Sequence, residues 1–284
     1  MEADVSIAEA PPVPGAEAIA GRIVDALPSL VLTGAGISAA TGIPTYRDSR
    51  GQWLRSDPIK HQEFISDPGK RRRYWGRSLR GWPGVRDALP TAAHRSLTRL
   101  EQRGVLTHIV TQNVDRLHQR AGSQRVIDLH GRLDRVVCLD CGDESCRELL
   151  QSRLEALNPS LPRGSGGARP DGDADLADEL IDGVRVPACT VCGGRLMPDV
   201  VFFGGSIPSA RVEACRDALA SARSLLVVGS SLTVYSGFRF CRWAAAAGLP
   251  IFLINPGQTR ADDLGVKWSR PANEALAELE DVLG

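Results

Sequence analysis

The chain carries no net charge: its 284 residues include 34 Lys and Arg against 34 Asp and Glu. With no excess of either sign, nothing in the overall balance draws it to nucleic acid or to an anionic membrane, and neither partner is expected. No apolar run is long enough to cross a bilayer. The opening stretch, Met1 to Gly15, lacks the basic start and apolar centre of a secretory signal and is too acidic for a transit peptide, so a cytoplasmic location is expected. Internal repeats are also missing. What remains is the composition of one large or two small globular domains with an ample core, 43% hydrophobic and 24% charged. Cysteine is present in quantity, seven in all. In a reducing compartment a C-x-x-C pair holds metal or does redox chemistry more readily than it forms a structural disulfide.

Two such pairs occur, Cys138-x-x-Cys141 and Cys189-x-x-Cys192. Glycine follows each (Gly142; Gly193 and Gly194), which permits the tight turns of zinc knuckles. Four thiols at the two ends of one insertion match the ligand set of a closed, tetrahedral, structural zinc site, with no open position for catalysis. Against this stand chance spacing and, for either pair alone, a thioredoxin-like redox motif. Cys146, Cys215 and Cys241 fall outside the pattern.

Around the insertion the chain reads as α/β. Apolar runs at Ser29–Thr33, Val105–Val110, Val126–Leu129, Ser224–Val228 and Pro250–Ile254 have the length and continuity of parallel strands covered on both faces. Helical patterns at 16–27, Thr91–Arg103, Pro208–Ala222 and Ser236–Gly248 separate them. The alternation predicts a doubly wound parallel sheet. Residues 50–90, rich in Arg, Trp and Pro, and residues 138–197 interrupt the rhythm, and 158–175 reads as a loop.

Polar motifs sit where these strands end. Gly34-Ala35-Gly36-Ile-Ser38-Ala39 fits G-x-G-x-x-G/A directly after a strand. Its glycines allow a tight turn and close approach to a pyrophosphate at a helix N-terminus; a plain strand-to-helix turn is the alternative. The acidic residue that a dehydrogenase carries about 20 residues further on is missing. Gly42-Ile-Pro-Thr45-Tyr46-Arg47 stands there instead, which weakens a hydride-transfer reading. Gln112, Asn113, Val114 and Asp115 follow the second strand and form either a ligand site or a helix cap. His118 reads as structural. His130 ends another strand, where an imidazole can take a proton from a bound hydroxyl. Gly229-Ser230-Ser231-Leu232 and Asn255-Pro256-Gly257 offer amides and hydroxyls to phosphate, ribose or base, or are ordinary turns.

Taken together, Gly34–Ser38, Gly42–Arg47, Thr111–Asp115, His130-Gly131, the four paired cysteines, Pro198–Gly204, Gly229–Leu232 and Ile254-Asn255 resemble the sirtuin family in order and spacing, over about residues 29–257. Arg73–Arg77, Gly81–Pro83, Cys138–Gly142, Pro170–Asp173 and Val234–Gly237 look like its class II branch, which includes human mitochondrial sirtuin four. The resemblance implies a Rossmann-like doubly wound domain (residues 16–49, 91–137 and 198–284) behind a flexible N-terminus (1–15). The inserted small domain would comprise a helical module (50–90) and a four-cysteine zinc module (138–197). It also implies NAD as cofactor, one structural Zn2+ per chain, acylated-lysine proteins or peptides as partners and a monomer.

By the same resemblance, the activity is NAD-dependent protein-lysine deacylation, with His130, Asn113 and Asp115 catalytic. Gly34, Ala35, Gly36, Ser38, Thr45, Tyr46, Arg47, Gln112, Asn113, Val114, Asp115, Gly229, Ser230, Ser231, Asn255, Pro256, Gly257 and Ala272 would contact NAD. Val201, Phe202, Phe203, Gly204 and Val234 lie in strands that would hold the substrate backbone by β-augmentation. Tyr74 and Arg77, three apart on a helix, would meet an acyl carboxylate, so acyl groups larger or more acidic than acetyl are expected; the alternative places Arg77 on a solvated face. Thr45, Tyr46 and Gly205 depart from the family's commoner Asp, Phe and acidic residue. Protein mono-ADP-ribosylation in the same cleft and a non-enzymatic zinc-ribbon module are the competing functions.

Overall fold

The computed structural model describes residues 15–42, 58–161, 174 and 178–284. In chain order the strands are β1 (Ser29–Thr33), β2 (Leu106–Thr111), β3 (Val126–Asp128), β4 (Gly131–Cys138), β5 (Glu144–Cys146), β6 (Leu196–Val200), β7 (Ser224–Val228), β8 (Ile251–Ile254) and β9 (Val266–Trp268). The helices are α1 (Ala16–Asp25), α2 (His61–Ser66), α3 (Pro68–Asp87), α4 (Ala92–Gln102), α5 (Leu117–Ala121), α6 (Arg147–Leu157), α7 (Asp178–Asp182), α8 (Ser209–Ala220), α9 (Tyr235–Ala246) and α10 (Ala272–Leu283).

Six strands form one parallel sheet in the order β3-β2-β1-β7-β8-β9. The chain thus runs outward from β1 to one edge, returns to the centre and runs to the other edge. This is the Rossmann-like doubly wound order, with the reversal between β1 and β7. Every residue of β1, β7 and β8 is buried. Alternate side chains explain why. Val31, Leu226 and Phe252 point into a layer with Ile23 of α1, Leu97 of α4 and Leu276 of α10. Leu30, Leu32, Leu225 and Val227 point the other way, towards Leu219 of α8 and Phe240 of α9. Both faces need apolar residues, so these strands read as unbroken runs.

A smaller antiparallel sheet, β5-β4-β6, packs with α2, α3 and α6 around Phe64, Tyr74, Trp75, Leu150 and Leu154. Residues 131–137 and 198–200, assigned by their sequence to the large layer, pair in this sheet. The buried positions Leu133, Val136 and Cys138 alternate imperfectly with partly exposed ones along β4, as suits a strand covered on one face. Helix α3 starts where Asp67 accepts hydrogen bonds from the Gly69 and Lys70 N–H groups, at 2.7 and 3.3 Å, with Pro68 in its first turn. A further cluster of Trp82, Val85, Leu117 and Leu133, with Val114 and Val200 against it, joins the two layers beneath the loop after β2. Among the described residues no helix is long and apolar enough to cross a membrane.

Candidate active site and zinc centre

The cysteine pairs are brought together by two loops held face to face. Cys138 N–H donates to the Asp143 carbonyl, Cys189 N–H to the Gly194 carbonyl and Leu139 N–H to the Arg195 carbonyl, each at 2.8 Å. The sulfur atoms of Cys138, Cys141, Cys189 and Cys192 all lie within 4.8 Å of one another. Cys138 and Cys192 are 3.5 Å apart and Cys141 and Cys189 3.8 Å, with no disulfide. Four thiolates about 2.3 Å from a zinc ion would be about 3.8 Å apart at the edges of a tetrahedron, so the set fits zinc. Backbone N–H groups of Asp140, Val191 and Gly194 point at the Cys138, Cys189 and Cys192 sulfurs at 3.3–3.4 Å, stabilising thiolate charge.

The second site lies where the large sheet reverses. Loops after β1, β2 and β7 converge at the carboxyl ends of adjacent strands, the position at which open α/β sheets bind ligands. Gly36 N–H donates to the Gly229 carbonyl at 2.8 Å, and a Cβ on Gly36 would fall 2.8 Å from that same oxygen. The glycines of the first turn are therefore required by the neighbouring loop, as well as by any phosphate. The helix that follows is a 3-10 helix, Ala35–Thr41, and it stops at Gly42 with φ +84°.

Polar side chains link these loops in two groups. In the first, Asn113 Nδ2 donates to the Gly34 carbonyl (3.2 Å) and to Ser38 Oγ (3.1 Å), and Ser38 Oγ donates to Asp115 Oδ2 (2.8 Å). Asp115 also accepts from the N–H of Leu117, the first residue of α5, at 3.0 Å, while holding the Ser38 turn. Burial raises the Asp115 carboxyl above its ordinary range, opposed by the Leu117 and Ser38 hydrogen bonds. In the second group, Gln112 Nε2 donates to the Thr33 carbonyl (3.1 Å) and to Ser230 Oγ (2.8 Å).

His130 Nδ1 lies 2.9 Å from the Gln112 carbonyl and Nε2 2.8 Å from Ser236 Oγ. A carbonyl can only accept, so the neutral ring carries its proton on Nδ1 and presents the Nε2 lone pair to the serine hydroxyl. Burial pushes His130 down to about 4, with Arg239 and Arg211 adding to the effect against the Gln112 carbonyl. At neutral pH it is therefore an uncharged base. His118 is structural as expected: it is buried, with Nε2 2.9 Å from Thr33 Oγ1.

The remaining expected residues fall around this centre. Ser231 accepts Arg260 N–H at its carbonyl, Asn255 Nδ2 donates to the Gly257 carbonyl across Pro256, and Ala272 opens α10, which packs against the Ala35–Thr41 turn. Thr45, Tyr46, Arg47 and the Pro170–Asp173 motif lie outside the described residues. Val201 N–H donates to the His130 carbonyl at 2.8 Å, and Phe203 forms a parallel bridge with Lys60. Neither segment expected to hold a substrate backbone is a regular strand. Val201–Gly204 pairs through Phe203 only, while Leu232 takes φ +57° and α9 begins at Tyr235, so Val234 is a helix cap. Tyr74 and Arg77 are both buried on α3, Tyr74 with its ring 5.3 Å from Phe202 and Arg77 with Nε donating to the Ala174 carbonyl at 2.9 Å. Burial excludes the solvated face for Arg77. Ser236 and Gly237 join the site without a sequence signal of their own: a serine at a helix start carries no mark of contact with a histidine 106 residues away.

Comparison with known proteins converges on one family. The Sir2 family model matches residues 34–236. The chain is 54% identical over 250 residues to an NAD-dependent protein deacetylase of Bordetella bronchiseptica, covering 88% of this chain and 91% of that one. It is 52% identical over 256 residues to NAD-dependent protein deacetylase 1 of Streptomyces coelicolor, covering 90% and 86%. Among solved structures, one described as Sir2 with a p53 peptide and NAD+ superposes with a TM-score of 0.73 at 29% identity, over 92% of this chain and 95% of that one. Another, from work on the mechanism and regulation of Sir2 enzymes, gives 0.74 at 30% identity over 94% and 97%. With the doubly wound sheet, the four-thiol cluster and an Asn-Asp-His centre at the point of strand reversal, this similarity places the chain in the Sir2, or sirtuin, family.

Proposed function

We propose that this protein is an NAD-dependent protein-lysine deacetylase that releases nicotinamide and transfers the acyl group to ADP-ribose. The observation that carries the reading is the His130 geometry: a neutral imidazole with its Nδ1 proton held by the Gln112 carbonyl and its Nε2 lone pair facing a hydroxyl, beside Asn113 and Asp115. The donor set fits NAD, since hydroxyls and amides of Ser38, Gln112, Asn113, Ser230 and Ser231 line the strand-reversal point where a dinucleotide is bound. When bound, NAD supplies an electrophilic ribose carbon with nicotinamide as leaving group, open to attack by the acyl amide oxygen. Asn113 and Asp115, fixed to the Ser38 turn, would orient the nicotinamide ribose, and Gln112 would tie that side to Ser230. His130 Nε2, which now faces the Ser236 hydroxyl, would be the group able to accept a proton from a ribose hydroxyl of bound NAD. The zinc centre, closed by four thiolates, holds the small sheet together and takes no part in the reaction.

The finer parts of the reading belong to the same proposal. Membership of the class II branch is supported by the Arg73–Arg77 and Val234–Gly237 motifs. An acyl range extending to larger or acidic groups is supported by Tyr74 and Arg77 buried on one helix, Tyr74 against Phe202. A reducing cytoplasm is the setting that the cysteine content supports, and a monomer is what the family resemblance implies. Incubation with NAD and acetyl-, decanoyl- and glutaryl-lysine peptides, followed by mass spectrometry, tests the activity and its acyl range. Bare lysine with O-acyl-ADP-ribose is the expected product. ADP-ribose attached to protein would favour the transferase alternative, and no nicotinamide release would sink the enzyme reading. Arg77→Met should lose the glutaryl substrate selectively; equal losses on all three acyl groups would make Arg77 structural.

A further inference from the structure

Five arginines crowd the side of the active centre formed by α8, α9 and the loop after β8. Two approach His130 directly. Arg211 Nη1 donates to the carbonyl of Leu129 (3.4 Å), the residue before it. Arg239 Nε donates to the carbonyl of Ser236 (3.2 Å), whose hydroxyl meets the imidazole. Arg242 Nη1 reaches the Tyr235 hydroxyl at 3.4 Å. Arg216 and Arg239 lie over the Trp243 ring at 4.8 and 5.4 Å, and Arg260 over Phe238 at 4.3 Å. Carbonyls, a phenol and ring faces orient these guanidiniums, but none of those groups neutralises them. Among the described residues, none of the five stands in an ion pair, and Glu213 and Asp217 on α8 itself pair with none of them.

Composition does not account for this. Acids equal bases over the whole chain, and some arginines elsewhere find carboxylates (Arg99 meets Glu280 at 2.6 Å, Arg135 meets Asp199 at 2.5 Å and Arg270 meets Glu278 at 2.6 Å), while others, such as Arg71, Arg153 and Arg223, donate to carbonyls. What sets this band apart is its place, on one side of the centre beside His130. The band includes the contact to Tyr235, exposed beside Val234 in the segment expected to meet the substrate backbone.

We propose that this arginine band selects protein substrates with acidic residues flanking the acylated lysine. The inference rests on the deacetylase reading and adds a substrate class to it. Pre-oriented guanidiniums form charge-assisted hydrogen bonds with carboxylates, and an unneutralised basic rim speeds encounter with an acidic segment in a salt-dependent way.

The test uses the full chain, NAD and three acetyl-lysine peptides whose flanking positions are Glu, Ala or Lys. At low ionic strength kcat/KM should rank Glu above Ala above Lys, with Glu exceeding Lys about 10-fold or more, and the spread should shrink in 0.5 M salt as the screening length falls to a few ångströms. The double variant Arg216→Gln, Arg242→Gln touches only Trp243 and Tyr235. It should lose most of the Glu advantage through peptide KM, while the KM for NAD, the kcat on the Ala peptide and the melting temperature hold. Equal kcat/KM for the three peptides would overturn the inference and leave the deacetylase reading intact. Equal loss on all peptides, or a raised KM for NAD, would also overturn it, assigning these arginines to fold or cofactor. Deacetylation of none of the peptides would instead mark failure of the underlying reading.

Discussion

Alanine at position 237 tests how tightly the active centre is packed. A Cβ there would stand 2.4 Å from Gln112 Oε1 and 2.9 Å from its Cδ, inside van der Waals contact. The Gln112 amide is not free to retreat, because its Nε2 donates to the Thr33 carbonyl and to Ser230 Oγ. Moving it breaks both bonds, at about 0.5–1.5 kcal/mol each, or about 1–3 kcal/mol together. Replacing glycine within a helix returns at most about 1 kcal/mol, and less here, since Gly237 lies in the first turn of α9. Gly237→Ala should therefore destabilise the protein by about 0–2 kcal/mol in urea unfolding. It should also raise the KM for NAD, because Gln112 anchors both Ser230 and, through its carbonyl, His130. A double-mutant cycle isolates the cause. In a Gln112→Ala background the new methyl meets no amide, so the second substitution should be neutral or stabilising. The same penalty in both backgrounds would refute the argument.

Three further outcomes are expected. His130→Ala should lower turnover by about 10²–10⁴ while sparing NAD binding, and the acid limb of kcat/KM that it causes should lie near pH 4, since burial holds the imidazole at about 4 and only the neutral ring accepts a proton; near-normal turnover, or a limb near 6.5 that His130→Ala removes, would contradict this. The unfolded chain takes up protons on its histidines below their ordinary value near 6.5, whereas burial pushes His94 to about 4 and His118 well below its ordinary range, so stability should fall as pH drops from 6.5 to 5; a urea midpoint equal at pH 7.5 and 5 would count against it. Purified protein should carry one zinc per chain, and Cys189→Ala should release the metal and melt the small sheet, because structural zinc supplies folding free energy on the order of 10 kcal/mol in small modules; a metal-free yet fully folded protein would rule this out.

Much of the large sheet was legible because burial on two faces leaves continuous apolar runs in the chain. Strand β9 was not, since Val266-Lys-Trp268 is too short to show a period. The small sheet was obscured for another reason: β4 and β6 carry mixed residues, and their pairing across an insertion has no local signature. At the site, the Cys pairs, Asn113, Asp115 and His130 were visible from residue type and position. What stayed hidden were contacts between distant segments. Ser236 meets His130 only because α9, packed on β7 and β8, begins beside Gln112 in the loop after β2, and Gly36 is needed because Gly229 lies against it. The 3-10 geometry after Gly34 was also out of reach, since a glycine-rich turn fits either kind of helix.

Strand β4 behaves as a tie-rod between two chemistries. It starts at Gly131, next to the base, and ends at Cys138, a zinc ligand. Its eight residues span about 24 Å at roughly 3.4 Å per residue. The partner strand β6 runs beside it and delivers Val201 to the His130 carbonyl. The imidazole is thus threaded between the last residue of one sheet, Asp128, and the first of the other, Gly131. Slackening at the metal end should pass along the β4 backbone, whose pairing with β6 is irregular between Gly131 and Val136, to the ring at the far end. A zinc ion held by the four thiols would thereby set the tension under which the imidazole is held, and mild chelation should register as a loss of turnover before any large change in helix content.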